Sequence, residues 1–245
     1  MDVAYMIEIF PKLIMTLPIT LLIIVVSAIF GLLLSIGVTY LRLKKLIIIG
    51  PILETYVSFM RSTPILIQLF LVFYGLPVLM NSLGFNAGDF GAITSSIIAL
   101  IIFNGAYLSE ILRPAYLSVE RGQHEAADSL GYKPIEKFRK VIFPQLAPIA
   151  LPGLGNAIIY LVHDTSLVFT LGVVDIMGQA KLMLANTYGE NKIEMYLAIA
   201  IMYWLVCLSS DRIIKLLEHF TYLKRIKRKS KVKKTKVYKE SVSIQ

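Results

Sequence analysis

Long apolar runs constrain this 245-residue chain more than any other feature of its sequence. Runs of about 18 or more apolar residues are long enough to cross the hydrocarbon core of a bilayer as helices. Because that core offers no hydrogen bonds to the backbone, a spanning segment must be a helix or a strand of a closed barrel. These runs do not alternate apolar and polar residues as barrel strands do. We therefore predict an all-α membrane protein.

Composition supports this class and limits the chemistry that the chain can perform. Hydrophobic residues make up 56% of it and charged residues 17%, whereas soluble chains average about 45–50% and about 25%. The single cysteine, Cys207, excludes an internal disulfide, and the three histidines are scattered. The sequence contains no nucleophilic triad, no phosphate-binding glycine loop and no cluster of metal ligands. We therefore predict no catalytic residue, no metal site and no bound cofactor.

Five apolar segments are predicted to cross the membrane. In chain order they are approximately Leu13–Leu41, Thr63–Met80, Ala92–Leu112, Leu146–Val173 and Met195–Leu217. The first segment carries small residues that allow two helix axes to approach closely, namely Thr16, Thr20, Ser27, Gly31 and Ser35.

The second segment has two interpretations, because Pro64 interrupts its apolar run. In one, a helix on the cytoplasmic side extends through Met60 and a span follows from Thr63. In the other, a single longer and kinked span covers Ile52–Pro77. A proline breaks or kinks a helix in either case, so the sequence alone does not choose between them.

The distribution of positive charge predicts how the spans are oriented. Cytoplasmic loops of membrane proteins carry an excess of Lys and Arg. When residues 212–239, which include the end of the fifth span, are counted with the cytoplasmic side, 22 of the 25 Lys and Arg residues fall there. We therefore predict a multi-pass membrane protein, with its N-terminus outside and its C-terminus in the cytoplasm.

The last segment of the chain is strongly basic. Residues 224–239 hold ten Lys and Arg residues and no acidic residue. Next to a span, such a segment is expected to meet anionic lipid, with about 1 kcal/mol for each cation near the surface. We therefore predict a transmembrane domain over residues 1–223 and a disordered tail over 224–245 that contacts lipid and binds no nucleic acid.

A polar, glycine-bounded stretch lies between the third and fourth spans. Gly122 and Gly131 enclose about two turns of predicted helix, and Pro134 stands where a second helix would begin. On the first helix Ala126, Ala127 and Leu130 have spacings that place them on one face. We interpret residues 114–144 as a loop whose short helix fits into a cleft of another protein. An ordinary surface connection is the alternative.

Polar and ionisable residues inside the spans mark a second candidate site. Such residues are costly in lipid and often line a path for a solute. They could replace the water around a zwitterion with hydrogen bonds and charge: Thr63, Gln68, Tyr107, Glu110, Asn156, Asp164, Thr165 and Ser166. The alternative for each is that it holds helices together, and Glu110 has Arg113 three residues away as a local ion-pair partner.

These blocks resemble, in order, motifs of the polar-amino-acid branch of ABC importer permeases. The matching blocks are Arg-Ser-Thr-Pro with Gln at 61–68, Ala-Tyr-x-x-Glu-x-x-Arg at 106–113, Gly-Gln-x-Glu-Ala-Ala with Gly at 122–131, Pro-Gln at 144–145 and Asp-Thr-Ser-Leu at 164–167. Two positions depart from the family pattern. Pro114 stands where glycine is usual, and His163 stands where lysine is common, which changes the charge expected near the path.

The resemblance implies a type I ABC importer permease of a bacterial cell membrane, with five transmembrane helices and a cytoplasmic coupling helix. In that family a cytoplasmic ABC ATPase dimer hydrolyses ATP with Mg, so this chain would be a non-catalytic subunit. An extracellular solute-binding protein would deliver the amino acid, and a second permease copy or a homologue would complete the path. The residues that would couple to the ATPase are Gly122, Glu125, Ala126, Ala127, Leu130 and Gly131.

The resemblance also suggests a substrate. Residues 164–167 and 171–178 are similar to cystine permeases, although glutamine, histidine and arginine relatives differ little there. We therefore expect a polar amino acid, with L-cystine favoured. Two other classes remain as alternatives: an ion-coupled secondary amino-acid transporter that uses Glu110 and Asp164, and a membrane scaffold that recruits partners through its basic tail.

Overall fold

The computed structural model describes the backbone of residues 3–84 and 91–242 and the side chains of residues 5–84 and 91–220. This part of the chain is almost entirely helical and contains no strand. Five of its helices are long and apolar enough to cross a membrane. The prediction of an all-α protein with five spans is therefore confirmed.

Nine helices organise the described residues, and we number them in chain order. They are α1 Val3–Ile14, α2 Leu17–Leu43, α3 Ile49–Ser62, α4 Ile65–Ser82, α5 Ala92–Leu117, α6 Arg121–Ser129, α7 Pro134–Thr165, α8 Ile176–Asn186 and α9 Lys192–Val242. The candidate spans are α2, α4, α5, α7 and the part of α9 up to Phe220. Both α4 and α7 contain one π-helical turn, at Leu71–Gly75 and Phe138–Ile142.

The chain forms two compact units. Unit 1 draws on residues 1–112 and 156–210, and unit 2 on residues 113–155 and 211–245. The helices α5, α7 and α9 each contribute residues to both units.

The start of the first span differs from the prediction. The span α2 begins at Leu17 rather than Leu13, because a separate helix, α1, ends at Ile14. The Thr16 hydroxyl donates to the Leu13 carbonyl at 2.9 Å in the break between them. Pro18 then occupies the first turn of α2, where a missing N–H interrupts no helical hydrogen bond.

The second span follows the first of the two interpretations. Helix α3 ends at Ser62, and Thr63 has extended backbone angles, with φ −104° and ψ 136°. The residue before a proline is biased towards this extended region, so Pro64 separates α3 from the span α4 rather than merely kinking one helix.

Three other boundaries also differ from the prediction. Helix α5 continues through Pro114 to Leu117, because the proline removes only one N–H while Leu112 and Ala115 are buried on either side of it. Helix α7 begins at Pro134 and ends at Thr165, and a short 3-10 turn follows. Helix α9 begins at Lys192 rather than Met195, and its backbone runs to Val242. No Gly or Pro interrupts residues 192–242, and Lys and Arg are good helix formers.

The core of unit 1 brings together four of the spans. Ile23 on α2, Leu69 on α4, Leu100 on α5 and Leu161 on α7 belong to one buried cluster. Because lipid tails are as apolar as these side chains, close packing rather than the hydrophobic effect must stabilise such an interface. Small residues allow the helices to pack this closely.

Among the small residues predicted to allow close approach, Gly31 lies at that interface. All five of them, from Thr16 to Ser35, are buried. A side chain at Gly31 would come within 2.8 Å of the Asn104 Cβ atom, and one at Gly105 would overlap the Leu34 side chain. Helices α2 and α5 therefore meet at a distance that only glycine permits at these two points.

A second cluster in unit 1 joins helices from both ends of the sequence. Ile9 on α1, Ile176 on α8 and Met195 and Met202 on α9 are buried together. This cluster anchors the short helix α8.

Candidate translocation and coupling sites

Gln68 holds the break between α3 and α4 together. Its Nε2 atom donates to the Met60 carbonyl at 2.8 Å and to the Thr63 carbonyl at 2.8 Å. The Met60 carbonyl would bond to the N–H of residue 64 in a continuous helix, and Pro64 has none. The Ile67 N–H, which would serve the Thr63 carbonyl, bonds to the Pro64 carbonyl instead. Gln68 therefore supplies the two donors that the break removes.

The sequence predicted that Gln68 lines the substrate path. Its bonds to the two backbone carbonyls occupy its amide nitrogen. The Gln68 side chain is only 3% exposed. Its Oε1 atom is buried and has no hydrogen-bond partner among the described residues. The cavity of about 220 Å³ beside it is almost wholly apolar, with Phe59, Leu76 and Ile102 among its lining residues, so it does not suit a zwitterion.

Glu110 lies between two arginines from different helices. Its Oε1 atom accepts from Arg42 Nη1 at 2.6 Å, and its Oε2 atom accepts from Arg61 Nη1 at 2.7 Å. One carboxylate on α5 thus joins the C-terminal ends of α2 and α3. We call Arg42, Glu110 and Arg61 the ion-pair triad.

The triad differs from the local ion pair that the sequence suggested. The expected partner of Glu110 was Arg113 on the same helix, whereas both observed partners are distant in sequence. Arg42 stands beside two lysines just after the apolar run of the first span. Nothing in its local pattern distinguishes it from Lys44 and Lys45, so only the fold reveals its role.

The other predicted path residues lie in unit 1 in different surroundings. Thr165 is fully buried and donates to the Val162 carbonyl at 2.7 Å. Tyr107 packs edge-on against Tyr160, with 6.3 Å between ring centroids. Asn156 is exposed, whereas Thr63 and Ser166 are half-buried. The described contacts therefore do not collect the whole set into one pocket.

Asp164 is the predicted path residue with the most unused polar capacity. Its side chain is half-buried near the end of α7, and it makes no side-chain hydrogen bond or ion pair within the described part of the chain. A carboxylate in a membrane span is costly unless it is paired. Asp164 is therefore suited to bind a cationic group that arrives with a ligand.

Asp175 is a structural residue that the sequence analysis did not single out. It is fully buried, and its Oδ1 atom accepts from the Gly178 N–H at 2.8 Å, which caps the start of α8. Its Oδ2 atom accepts from the Tyr203 hydroxyl at 3.3 Å. An aspartate immediately before a helix is a recognised capping signal, so the sequence contained the information needed to find it.

The predicted docking helix is α6, and it belongs to unit 2. Gly122, Glu125 and Ala126 are exposed along it, and Leu130 at its C-terminal end is 73% exposed. Ala127 is only 2% exposed. Of the three residues predicted to share one face, Ala126 and Leu130 are thus exposed, whereas Ala127 packs inside the unit.

A C-terminal cap and an ion pair fix the shape of this region. Gly131 has φ +72°, its N–H bonds to the Asp128 carbonyl, and the Tyr132 N–H bonds to the Ala127 carbonyl. These two bonds form a Schellman motif, which favours glycine at this position. Lys137 Nζ contacts both Asp128 carboxylate oxygens, at 2.7 and 2.8 Å.

His124 on α6 packs against the ring of Tyr116 at 5.6 Å. Burial lowers the pKa of His124, and the nearby Lys137 lowers it further, while Asp128 acts in the opposite direction. The neutral imidazole is therefore favoured in the folded chain, and protonation as the pH falls works against this packing.

The role of Gln68 at the break between α3 and α4 can be tested by substitution. Replacing it by methionine keeps the length of the side chain but leaves the Met60 and Thr63 carbonyls without donors. We expect Gln68→Met to lower the free energy of unfolding by about 1–3 kcal/mol, measured by denaturant titration in bicelles. Gln179→Met is the matched control, because it removes an amide on α8 that makes no side-chain hydrogen bond among the described residues. Unchanged stability with reduced transport would instead indicate that Gln68 contacts the solute.

Comparison with known proteins places this geometry in a family. Residues 31–221 match the model of the binding-protein-dependent transport system inner membrane component. The probable amino-acid permease protein YxeN of Bacillus subtilis is 38% identical over 205 residues, which cover 84% of this chain and 89% of that protein. The L-cystine transport system permease protein TcyL of the same organism is 34% identical over 218 residues, which cover 89% of this chain and 88% of that protein.

A solved structure agrees in both sequence and fold. A chain from the crystal structure of an amino acid ABC transporter with histidines has a TM-score of 0.75 and 30% identity, covering 89% of this chain and 98% of that one. The family match covers both the triad and α6. This chain belongs to the family of binding-protein-dependent inner membrane transport components and is an ABC-type amino-acid permease subunit.

Proposed function

We propose that this chain is the transmembrane subunit of an ATP-driven importer and that α6 is its docking helix for the ATPase. The observation that carries this proposal is the geometry of α6. A short helix exposes Gly122, Glu125, Ala126 and Leu130, while buried Ala127 and the ion pair from Lys137 to Asp128 hold it to its own unit. A helix held in this way can transmit a displacement instead of bending under it.

The chain couples hydrolysis to transport without catalysing any reaction itself. ATP and Mg bind at two cytoplasmic ATPase subunits, and their closure moves α6. The permease then exchanges between outward-open and inward-open states, and each nucleotide state biases this equilibrium by its different affinity for the two. Gly131 serves this role because its φ of +72° ends α6 in a fixed turn.

The substrate is a polar amino acid, and L-cystine is the favoured candidate. The similarity to TcyL supports cystine, and the unpaired carboxylate of Asp164 suits the ammonium group of any amino acid. The hydroxyl groups of Thr63 and Ser166 and the amide of Asn156 provide hydrogen bonds along the path, whereas the buried Thr165 hydroxyl bonds to the Val162 carbonyl. Tyr107 and Glu110 complete the set of proposed path residues.

The assembly contains more than this chain. An extracellular solute-binding protein delivers the amino acid, and a second copy of the permease or a homologue forms the other half of the path. The N-terminus lies outside and the C-terminus in the cytoplasm, where the basic residues from Lys224 to Lys239 contact anionic lipid. Family membership argues against the ion-coupled transporter, which would need no binding protein.

Docking through α6 can be tested by changing the surface of the helix. The double variant Glu125→Arg, Gly131→Arg reverses one exposed charge and places a bulky side chain in the C-terminal turn. We expect it to lose the ATPase that co-purifies with the wild-type chain in mild detergent and to lose ATP-driven uptake in proteoliposomes.

The matched control is Glu190→Arg, Gly84→Arg, whose sites are predicted to face outside. Glu190 is an exposed acid. Gly84 has φ +82° and open space where a Cβ atom would lie, as is true of Gly131 with φ +72°. Retention of the ATPase by the α6 variant, or equal loss in both variants, would contradict docking through α6.

The identity of the substrate can be tested by measuring uptake in proteoliposomes. These contain the permease, its ATPase and its binding protein. We expect saturable accumulation of radiolabelled L-cystine that requires internal ATP and is inhibited by excess unlabelled L-cystine. Asp164→Asn should reduce uptake by about tenfold or more, because it removes one of the two carboxylates, with Glu110, that attract the ammonium group at different points along the path. Preferential uptake of arginine or glutamine would replace cystine as the substrate, and uptake without ATP would contradict the importer itself.

A further inference from the structure

Arg61 and Glu110 present opposite charges side by side in unit 1. Arg61 Nη1 lies 2.7 Å from Glu110 Oε2, and the two side chains are 51% and 30% exposed. Both groups are therefore open to a solute, unlike Arg42, whose side chain is 9% exposed.

Glu110 does not need the exposed Arg61 as an ion-pair partner, because the buried Arg42 already pairs with it. Arg42 contacts Glu110 Oε1 at 2.6 Å, so the carboxylate already has a buried partner. Exposed ion pairs contribute little to stability. Stability therefore accounts for Arg42 but gives little reason for a second arginine at the exposed oxygen.

The triad also has more positive charge than its one carboxylate neutralises. It has more hydrogen-bond donors than its two ion pairs engage. Two guanidinium groups meet one carboxylate, and each does so through a single nitrogen, although a guanidinium can offer a carboxylate two parallel bonds. The Nε atom of Arg42 is buried and has no hydrogen-bond partner among the described residues. The triad therefore carries one excess positive charge and retains donor capacity on the exposed Arg61.

We propose that Arg61 and Glu110 form a binding site for the head group of a free amino acid, with Arg61 taking its α-carboxylate and Glu110 its α-ammonium. This inference rests on the proposed function, because it concerns the amino acid that the permease carries. A cation beside an anion is complementary to a zwitterion, which presents the same two charges in reverse. Arg42 is the positioning residue that holds Glu110 from its buried side.

The same arrangement suits a lipid phosphate less well. A phosphate brings negative charge only, and Glu110 would repel it from the exposed side of the triad. A free amino acid brings an ammonium group that Glu110 attracts. The neighbouring cations Lys44 and Lys45 are exposed and form no ion pair with a carboxylate in the described part of the chain, so they suit a phosphate better.

The test removes the carboxylate charge of the amino acid ligand by converting it to a methyl ester. Binding to the full chain in phosphatidylcholine nanodiscs is measured for L-cystine, L-arginine and L-glutamine and for the methyl ester of each. We expect the wild-type chain to bind at least one free acid about tenfold more tightly than its ester. In Arg61→Gln the affinity for the acid should fall about tenfold while that for the ester stays unchanged.

Two further variants separate this role from a structural one. Arg61→Lys keeps the charge but loses the planar fork, and it should retain part of the preference for the acid. Lys44→Gln removes an exposed cation near the same end of α2 and should retain all of it. A purely structural role for Arg61 would weaken acid and ester equally.

The outcomes that overturn the site are distinct from a failure of the importer. The site is wrong if the wild-type chain shows no preference for any acid over its ester, or if the preference survives in Arg61→Gln. It is also wrong if Arg61→Gln alters only the retention of phosphatidylglycerol in mixed nanodiscs, which would identify a lipid phosphate as the ligand. Normal ATP-driven uptake by the wild-type chain alongside any of these results would refute this site and leave the proposed function intact.

Discussion

The bond from Glu110 to Arg42 is the interaction on which the arrangement of unit 1 depends. A nearly buried guanidinium in a membrane protein must be paired, because an uncompensated buried charge costs several kcal/mol. Arg42 ends the first span, and Glu110 lies on the third, so this requirement fixes the ends of two spans against each other. Through the other oxygen of Glu110, the end of α3 is tied to the same point. The close approach of α2 and α5 at Gly31 and Gly105 brings these groups within reach.

The two compact units divide the work of the permease. Unit 1 holds the triad, the break at Pro64 and the carboxylate of Asp164, which are the features suited to a solute. Unit 2 holds α6, whose exposed face and fixed C-terminal turn suit a protein partner. Three helices contribute to both units, so the backbone itself is continuous between the proposed docking helix and the proposed path.

Much of this organisation could be predicted from the sequence, and the exceptions have physical causes. Apolar length predicted the five spans, and the glycines at 122 and 131 predicted α6 closely, because both signals are local. The start of α2 and the choice at Pro64 depended on how single prolines were accommodated, which local patterns do not decide. The bonds from Gln68 to two backbone carbonyls were not foreseen, because a polar residue in a span looks the same whether it serves a ligand or a backbone carbonyl. Arg42 could not be distinguished from its basic neighbours, since its burial is created by helices far away in sequence.

A double-mutant cycle between Arg42→Gln and Glu110→Gln tests most directly whether the arrangement of unit 1 depends on the Glu110 carboxylate. The free energy of unfolding of the wild-type chain, both single variants and the double variant would be measured in bicelles. We expect each single variant to be strongly destabilised and the double variant to lose less than their sum, with a coupling energy of about 1–3 kcal/mol. Effects that add within about 0.5 kcal/mol would show that Arg42 and Glu110 act independently and that the triad does not hold the spans together.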